Sequence, residues 1–134
     1  MDSFERRRLY KAIRLGVAGI KRQADTQASR SEAQANALQA LHERHGHLSK
    51  LNAEFFYKQY LDNIRNDEDK LTILRNARAE LIKRELQPTT TEEYAEYKVS
   101  YDMLMDALLY YMERKSADTD LAKRLKYALR NWEG

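Results

Sequence analysis

The chain contains no cysteine. Disulfide bridges, thiolate metal centres and thiol nucleophiles are therefore excluded. One proline, Pro88, and four glycines are spread over 134 residues. Such scarcity of turn-formers disfavours a many-stranded sheet. No stretch approaches the ~20 apolar residues of a membrane span. The opening MDSFERRRLY lacks an apolar run of signal-peptide length. These absences read as a soluble, cytoplasmic protein with no membrane span.

The usual marks of catalysis are also missing. The sequence has no glycine-rich phosphate loop, no dinucleotide fingerprint and no Gly-x-Ser-x-Gly elbow. Histidine is confined to LHERHGHLSK, residues 41–50, so a serine nucleophile would have to find its base in that one cluster. Gly46 suits the left-handed position after a helix, and His42 and His45 suit its last turn. Zinc would need three or four rigidly held ligands, and this spacing matches no metalloenzyme pattern. The cluster reads as the end of a helix, and no metal is expected. Asp102 and Asp106 stand one turn apart, with Glu92, Glu96 and Glu113 on much the same side. Dimetal bundles need Glu-x-x-His pairs, so these acids read as a solvated or partner-facing surface. No enzymatic activity and no cofactor are expected.

What remains is a composition made for helices. Hydrophobic residues make up 43% and charged residues 34%, which is not a disordered composition. Residues 1–22 hold seven basic side chains against two acidic ones, net +5, while residues 89–117 hold three against six, net −3. The two regions could attract each other within the fold, or each could attract something else.

Periodicity divides the chain into five or six helices. Ser3 can cap the first, with Leu9, Ala12, Ile13, Gly16, Val17 and Ile20 on its apolar face. Ala12 and Gly16 would let another helix approach closely. Residues 23–45, rich in Ala and Gln, either extend this helix into a long rod or arm or restart at Ser31. A third helix covers about 49–65, burying Ala53, Phe56, Tyr57, Tyr60, Leu61 and Ile64. A fourth follows NDED, carries Leu71, Leu74, Ala77, Leu81 and Ile82, and ends before Pro88. Thr90 and Glu93 form a capping box for a fifth over about 91–115. Tyr94, Tyr97, Tyr101, Leu104, Leu108 and Tyr111 make its core face, widened by Met105, Leu109 and Met112. SADTD starts a short last helix capped by Asp118 or Thr119. The fold class is an all-α bundle forming one domain over 1–134: a basic helix and an Ala/Gln-rich helix (1–47), then an aromatic-rich core (48–134).

Nine tyrosines and three phenylalanines are more than one core face can hold. Leu51, Phe55, Val99, Met103 and Tyr110 fall on the opposite sides of their helices. They predict a surface for a partner protein of unknown identity, or for self-association. The expected role is an adaptor, inhibitor or regulatory subunit. The alternative is a nucleic-acid-binding regulator in which Arg7, Lys11, Arg14, Lys21 and Arg22 neutralise phosphates.

Overall fold

The computed structural model describes residues 1–23 and 50–130. Helix α1 occupies 3–23, up to the edge of the first described span, α2 runs Lys50–Leu81 and α3 runs Thr91–Arg130; a 3₁₀ turn, Arg84–Leu86, lies between α2 and α3. All regular structure among the described residues is helical. No helix among them is long and apolar enough to cross a membrane.

Among the described residues, three α-helices stand where five are expected, the further helix expected at 23–45 lying almost wholly outside them. The expected breaks at NDED and SADTD are absent, and α2 and α3 run unbroken through 32 and 40 residues. Neither tract contains glycine or proline, so nothing in the backbone forces a stop. Their hydroxyl and carboxyl groups are also occupied in ways a helix tolerates. The Thr119 hydroxyl donates back to the Lys115 carbonyl at 2.7 Å, and the Thr72 hydroxyl to that of Glu68 at 3.0 Å. Those are the i−4 bonds of a helix interior, not of a cap. Asp67 and Asp118, read as a helix-start acid and a cap, are instead buried between the helices.

The real helix starts are capped locally. Asp2, not Ser3, caps α1: its Oδ1 accepts from the Glu5 amide at 2.8 Å, and its carbonyl accepts from the Arg6 amide at 3.1 Å. At α3 the Thr90 hydroxyl accepts from the Glu93 amide at 3.2 Å, the expected half of a capping box. The returning Glu93 carboxylate overshoots Thr90 and accepts from the Thr89 amide at 2.8 Å. α2 ends before Pro88 as expected, but at Leu81, which leaves Ile82 exposed beyond it.

Helices α2 and α3 form an antiparallel hairpin about 48 and 60 Å long at 1.5 Å per residue. Helix α1 lies in the groove of the half nearest the turn and runs parallel to α3. Arg6 meets Glu93, the Ser100 hydroxyl donates to the Tyr10 carbonyl at 3.1 Å, and the Tyr111 hydroxyl donates to the Ile20 carbonyl at 3.2 Å. Its described end reaches Lys70, whose ammonium donates to Gln23 at 3.1 Å.

Tyr10, Val17, Leu71, Leu74, Leu81, Leu86, Leu104, Leu108 and Tyr111 form the core, flanked by Ile13, Ile20 and Tyr97. The buried face of α1 is rotated from the expected one. Tyr10 is fully buried, whereas Ala12 and Gly16 are exposed and nothing approaches within 4 Å of where a Gly16 side chain would begin. The Tyr10 hydroxyl, donating to the Leu86 carbonyl, fixes this rotation, because a buried phenol needs a partner. Of the last expected helix, Ala122 is buried, Leu125 and Leu129 are half-buried and Ala128 is exposed. Ser31, the three histidines, Gly46, Trp132 and most of the Ala/Gln-rich stretch lie outside the described residues.

The fold separates two leucines of α3 five residues apart. Leu104→Ala removes a fully buried side chain and is expected to cost about 3 kcal/mol. Leu109→Ala, 53% exposed, should change stability by less than about 0.5 kcal/mol. Urea unfolding of both variants checks this.

Candidate functional site

At the turn end, Arg6 and Glu93 make a two-pronged ion pair. Nε and Nη2 of Arg6 each stand 3.0 Å from one Glu93 oxygen, and the Glu93 side chain is fully buried. The Arg6 guanidinium also donates to the Met1 carbonyl at 2.6 Å and to the Thr89 hydroxyl at 3.0 Å. Arg6, then the Ser3 hydroxyl and the Thr89 amide, hold the Glu93 carboxyl well below the usual range, at about 2. One turn along, Arg7 pairs with Glu96 at 3.0 Å and lowers that carboxyl too. Arg14 donates to the Ser100 hydroxyl at 3.1 Å.

These contacts decide where the expected basic face points. Of its five residues, Arg7 and Arg14 are turned onto α3. Lys21 sits at the rim of a cavity shared with Asp106. Lys11 and Arg22 are exposed on α1, and Lys11 shares a shallow groove with Phe4 and Arg8. The basic N-terminal segment and the acidic part of α3 thus meet within one molecule.

The five expected partner residues do not share one surface. Leu51 and Phe55, 78% and 61% exposed, lie on the outer side of α2, with Phe55 edge-to-face against Phe56 at 5.6 Å. Val99 is exposed on α3. Met103 and Tyr110 are half-buried beside α1. With Val17, Ala107 and Tyr111 they line an apolar cavity of about 230 Å³, and the Tyr110 ring packs edge-to-face on Tyr111 at 5.4 Å.

A more continuous apolar stripe runs along the other side of α3. Tyr94, Tyr101, Met105, Leu109 and Met112 recur at helical spacing. Tyr94, Leu109 and Met112 are more than half exposed, and Tyr101 and Met105 are half-buried. The sequence places all five on or beside the core face. The face is rotated because Glu93, Ser100 and Ala107, not Tyr94 and Tyr101, occupy the interior line of α3.

Near the middle of the hairpin lies a buried polar group that the expected sites do not include. Asp67 of α2 and Asp118 of α3 face one another, both essentially inaccessible, beside the buried Tyr60. Arg114 Nε stands 3.5 Å from Asp67, and Lys115 meets Glu68 at 3.1 Å on the rim. Burial, then a side-chain hydrogen bond and charge repulsion from Asp118, push the Asp67 carboxyl up to about 7 against the pull of Arg114. Spacing could have exposed this group. Asp67 continues the buried line Tyr60, Leu71, Leu74, Leu81, and Asp118 follows Tyr111 by seven residues, so each is a carboxylate at a core position.

Comparison with protein-family models, with curated proteins and with solved structures finds no match to this chain.

The Glu93 junction sets the response to acid. A carboxyl near 2 in the folded state and near 4.5 when unfolded contributes stability that is complete above 4.5 and is lost as pH falls toward 2. Thermal unfolding followed by circular dichroism between pH 5 and 2 should show a steep fall in Tm. Glu93→Gln should lower Tm at pH 5 and flatten that fall.

Proposed function

We propose that this is a small, non-enzymatic helical interaction protein, an adaptor, inhibitor or regulatory subunit, that binds a partner protein through apolar side chains on the outer faces of α2 and α3. One observation carries the reading. Helix α3 is apolar on two sides, and the described residues of this chain fill only one of them. Leu104, Leu108 and Tyr111 are buried, while Tyr94, Leu109 and Met112 face outward. Large side chains repeated along one exposed face favour association, since covering them releases ordered water. A stripe at 3- and 4-residue spacing on a long helix suits an amphipathic helix of a partner, or a second copy of this chain. Leu51, Phe55 and Val99 extend the exposed apolar area to other parts of the hairpin.

The nucleic-acid alternative draws less support. Arg7 and Arg14 are engaged with Glu96 and Ser100, so a phosphate backbone would have to compete with α3 for them.

The test replaces Leu109 and Met112 with aspartate in the full chain. Both are exposed, so Tm should change little. Capture of a partner from nuclease-treated extract, and any concentration-dependent dimer in sedimentation, should fall at least tenfold relative to the wild type. Equal capture by both proteins would remove the stripe from the interface. Capture that vanishes with nuclease would favour the nucleic-acid alternative.

A further inference from the structure

Three of the four carboxylate oxygens of the Asp67–Asp118 group lack a hydrogen-bond donor among the described residues. No hydrogen bond of ordinary geometry reaches either oxygen of Asp67 or Oδ2 of Asp118 among those residues, and the Tyr60 hydroxyl beside them is also unpartnered. Two carboxylates in contact can offer each other only acceptors. Arg114 supplies one positive charge, at 3.5 Å, against two negative ones. The remaining charge is buried, which is costly unless something neutralises it. A metal ion would find two carboxylates and a competing guanidinium; no three metal-ligating side chains converge among the described residues. A proton needs no further ligands. Placed on one carboxyl, it cancels the excess charge and supplies the missing donor.

We propose that Asp67 and Asp118 share one proton and form a pH-sensitive joint in the α2–α3 hairpin: the proton holds the two helices together at this level, and its loss loosens them.

The groups that face the pair come from both helices. Helix α2 supplies Tyr60 and Glu68, and α3 supplies Arg114 and Lys115; Lys115 is drawn to Glu68 on the rim. From α1 the described contact nearest this level is Gln23, which holds the Lys70 ammonium. Among the described residues the second positive charge that acts on Asp67 is that of Lys115, which pulls its carboxyl down more weakly than Arg114 does and is itself paired with Glu68. The joint sits next to the described end of α1, at the base of the α2–α3 segments 50–66 and 119–130. Those segments carry Leu51, Phe55 and Tyr127, all strongly exposed. The joint does not rest on the proposed partner surface, and either could fail alone.

The sign follows from proton counting. A carboxyl that ionises near 3.8 when unfolded and about 7 when folded makes the folded state hold the extra proton between those values. Stability is then full at the acid end of that window, falls as pH rises through it, and levels off above 7. Urea unfolding at pH 5 and pH 8 should show the unfolding constant rising on the order of a hundredfold. Asp118→Asn keeps the Asp67–Arg114 pair, supplies an amide donor and should abolish most of that rise. At pH 8 its amides in 50–66 and 119–130 should exchange with solvent more slowly than those of the wild type. Carboxyl carbon NMR of the wild type gives a readout that no variant has to survive: one of the two aspartates should titrate above pH 6. Equal pH dependence in wild type and variant, or both aspartates fully ionised by pH 5, overturns the proposal.

Discussion

The carboxylate of Glu93 is where three parts of the chain are tied together. It accepts from the Thr89 amide at the start of α3, from the Thr89 hydroxyl, and from the Arg6 guanidinium of α1. Its own amide is held by Thr90. A charged group removed from water needs such saturation, since each donor it lost would leave part of the charge unsolvated. The consequence reaches beyond the junction. Once Arg6 is fixed, the phase of α1 is fixed, and every side chain along it is assigned to α3, to α2 or to solvent. Tyr10 goes under the turn, Arg14 goes to Ser100, and Val17 and Ile20 go to the core. Ala12 and Gly16, the most obvious residues for close packing, are left outside.

That choice turns part of the +5 of residues 1–22 onto α3, while Arg8, Lys11, Lys21 and Arg22 remain exposed. Arg6 and Arg7 are engaged with Glu93 and Glu96, and Glu96 is one of the acids of α3 that look like a separate surface. The opposite charges of the two regions are a docking code within one chain. It specifies a parallel α1–α3 pairing that apolar residues alone would not distinguish from a shifted one, because apolar burial is non-directional and a two-pronged guanidinium–carboxylate pair is not.

The helical class, the buried leucines of α2 and α3, the stop before Pro88 and the Thr90 cap were legible from spacing and turn chemistry, whereas Leu61, Ile82, Tyr94, Leu109 and Met112, expected in the core stripes, are exposed. Leu71, Leu74, Leu81, Leu104, Leu108 and Tyr111 are apolar residues at apolar positions, and periodicity finds those. The number of helices was not legible, because polar tracts without glycine or proline look the same whether they break a helix or face a partner inside it. NDED and SADTD each put a carboxylate on the interior line, and only the pairing of α2 with α3 brings Asp67 to Asp118. The outer stripe of α3 was misplaced for the converse reason. Tyr94 and Tyr101 are the residues a hydrophobic pattern would bury, but Glu93 and Ser100 take the interior through contacts with Arg6, Tyr10 and Arg14 that lie more than 80 residues away in sequence.

The two buried acidic sites therefore act in opposite senses along one hairpin. At the turn end, Glu93 is surrounded by donors and is stable only as the anion. At the far end of the described α1, Asp67 faces another carboxyl and is stable only with a proton nearby. Acid weakens the first and base weakens the second, so the fold is tightest in the interval between about 4.5 and the lower part of the Asp67 window. Above that interval the strain is not spread evenly. The half of the hairpin that includes α1, Tyr10 and Glu93 keeps its interactions, while in the half beyond Asp67 the described contacts are those of α2 with α3. Among the described residues, a region where α1 joins α2 and α3, linked through a protonated hinge point to a region where α2 and α3 continue, is thus the mechanical consequence of placing one carboxylate among donors and another against its own kind.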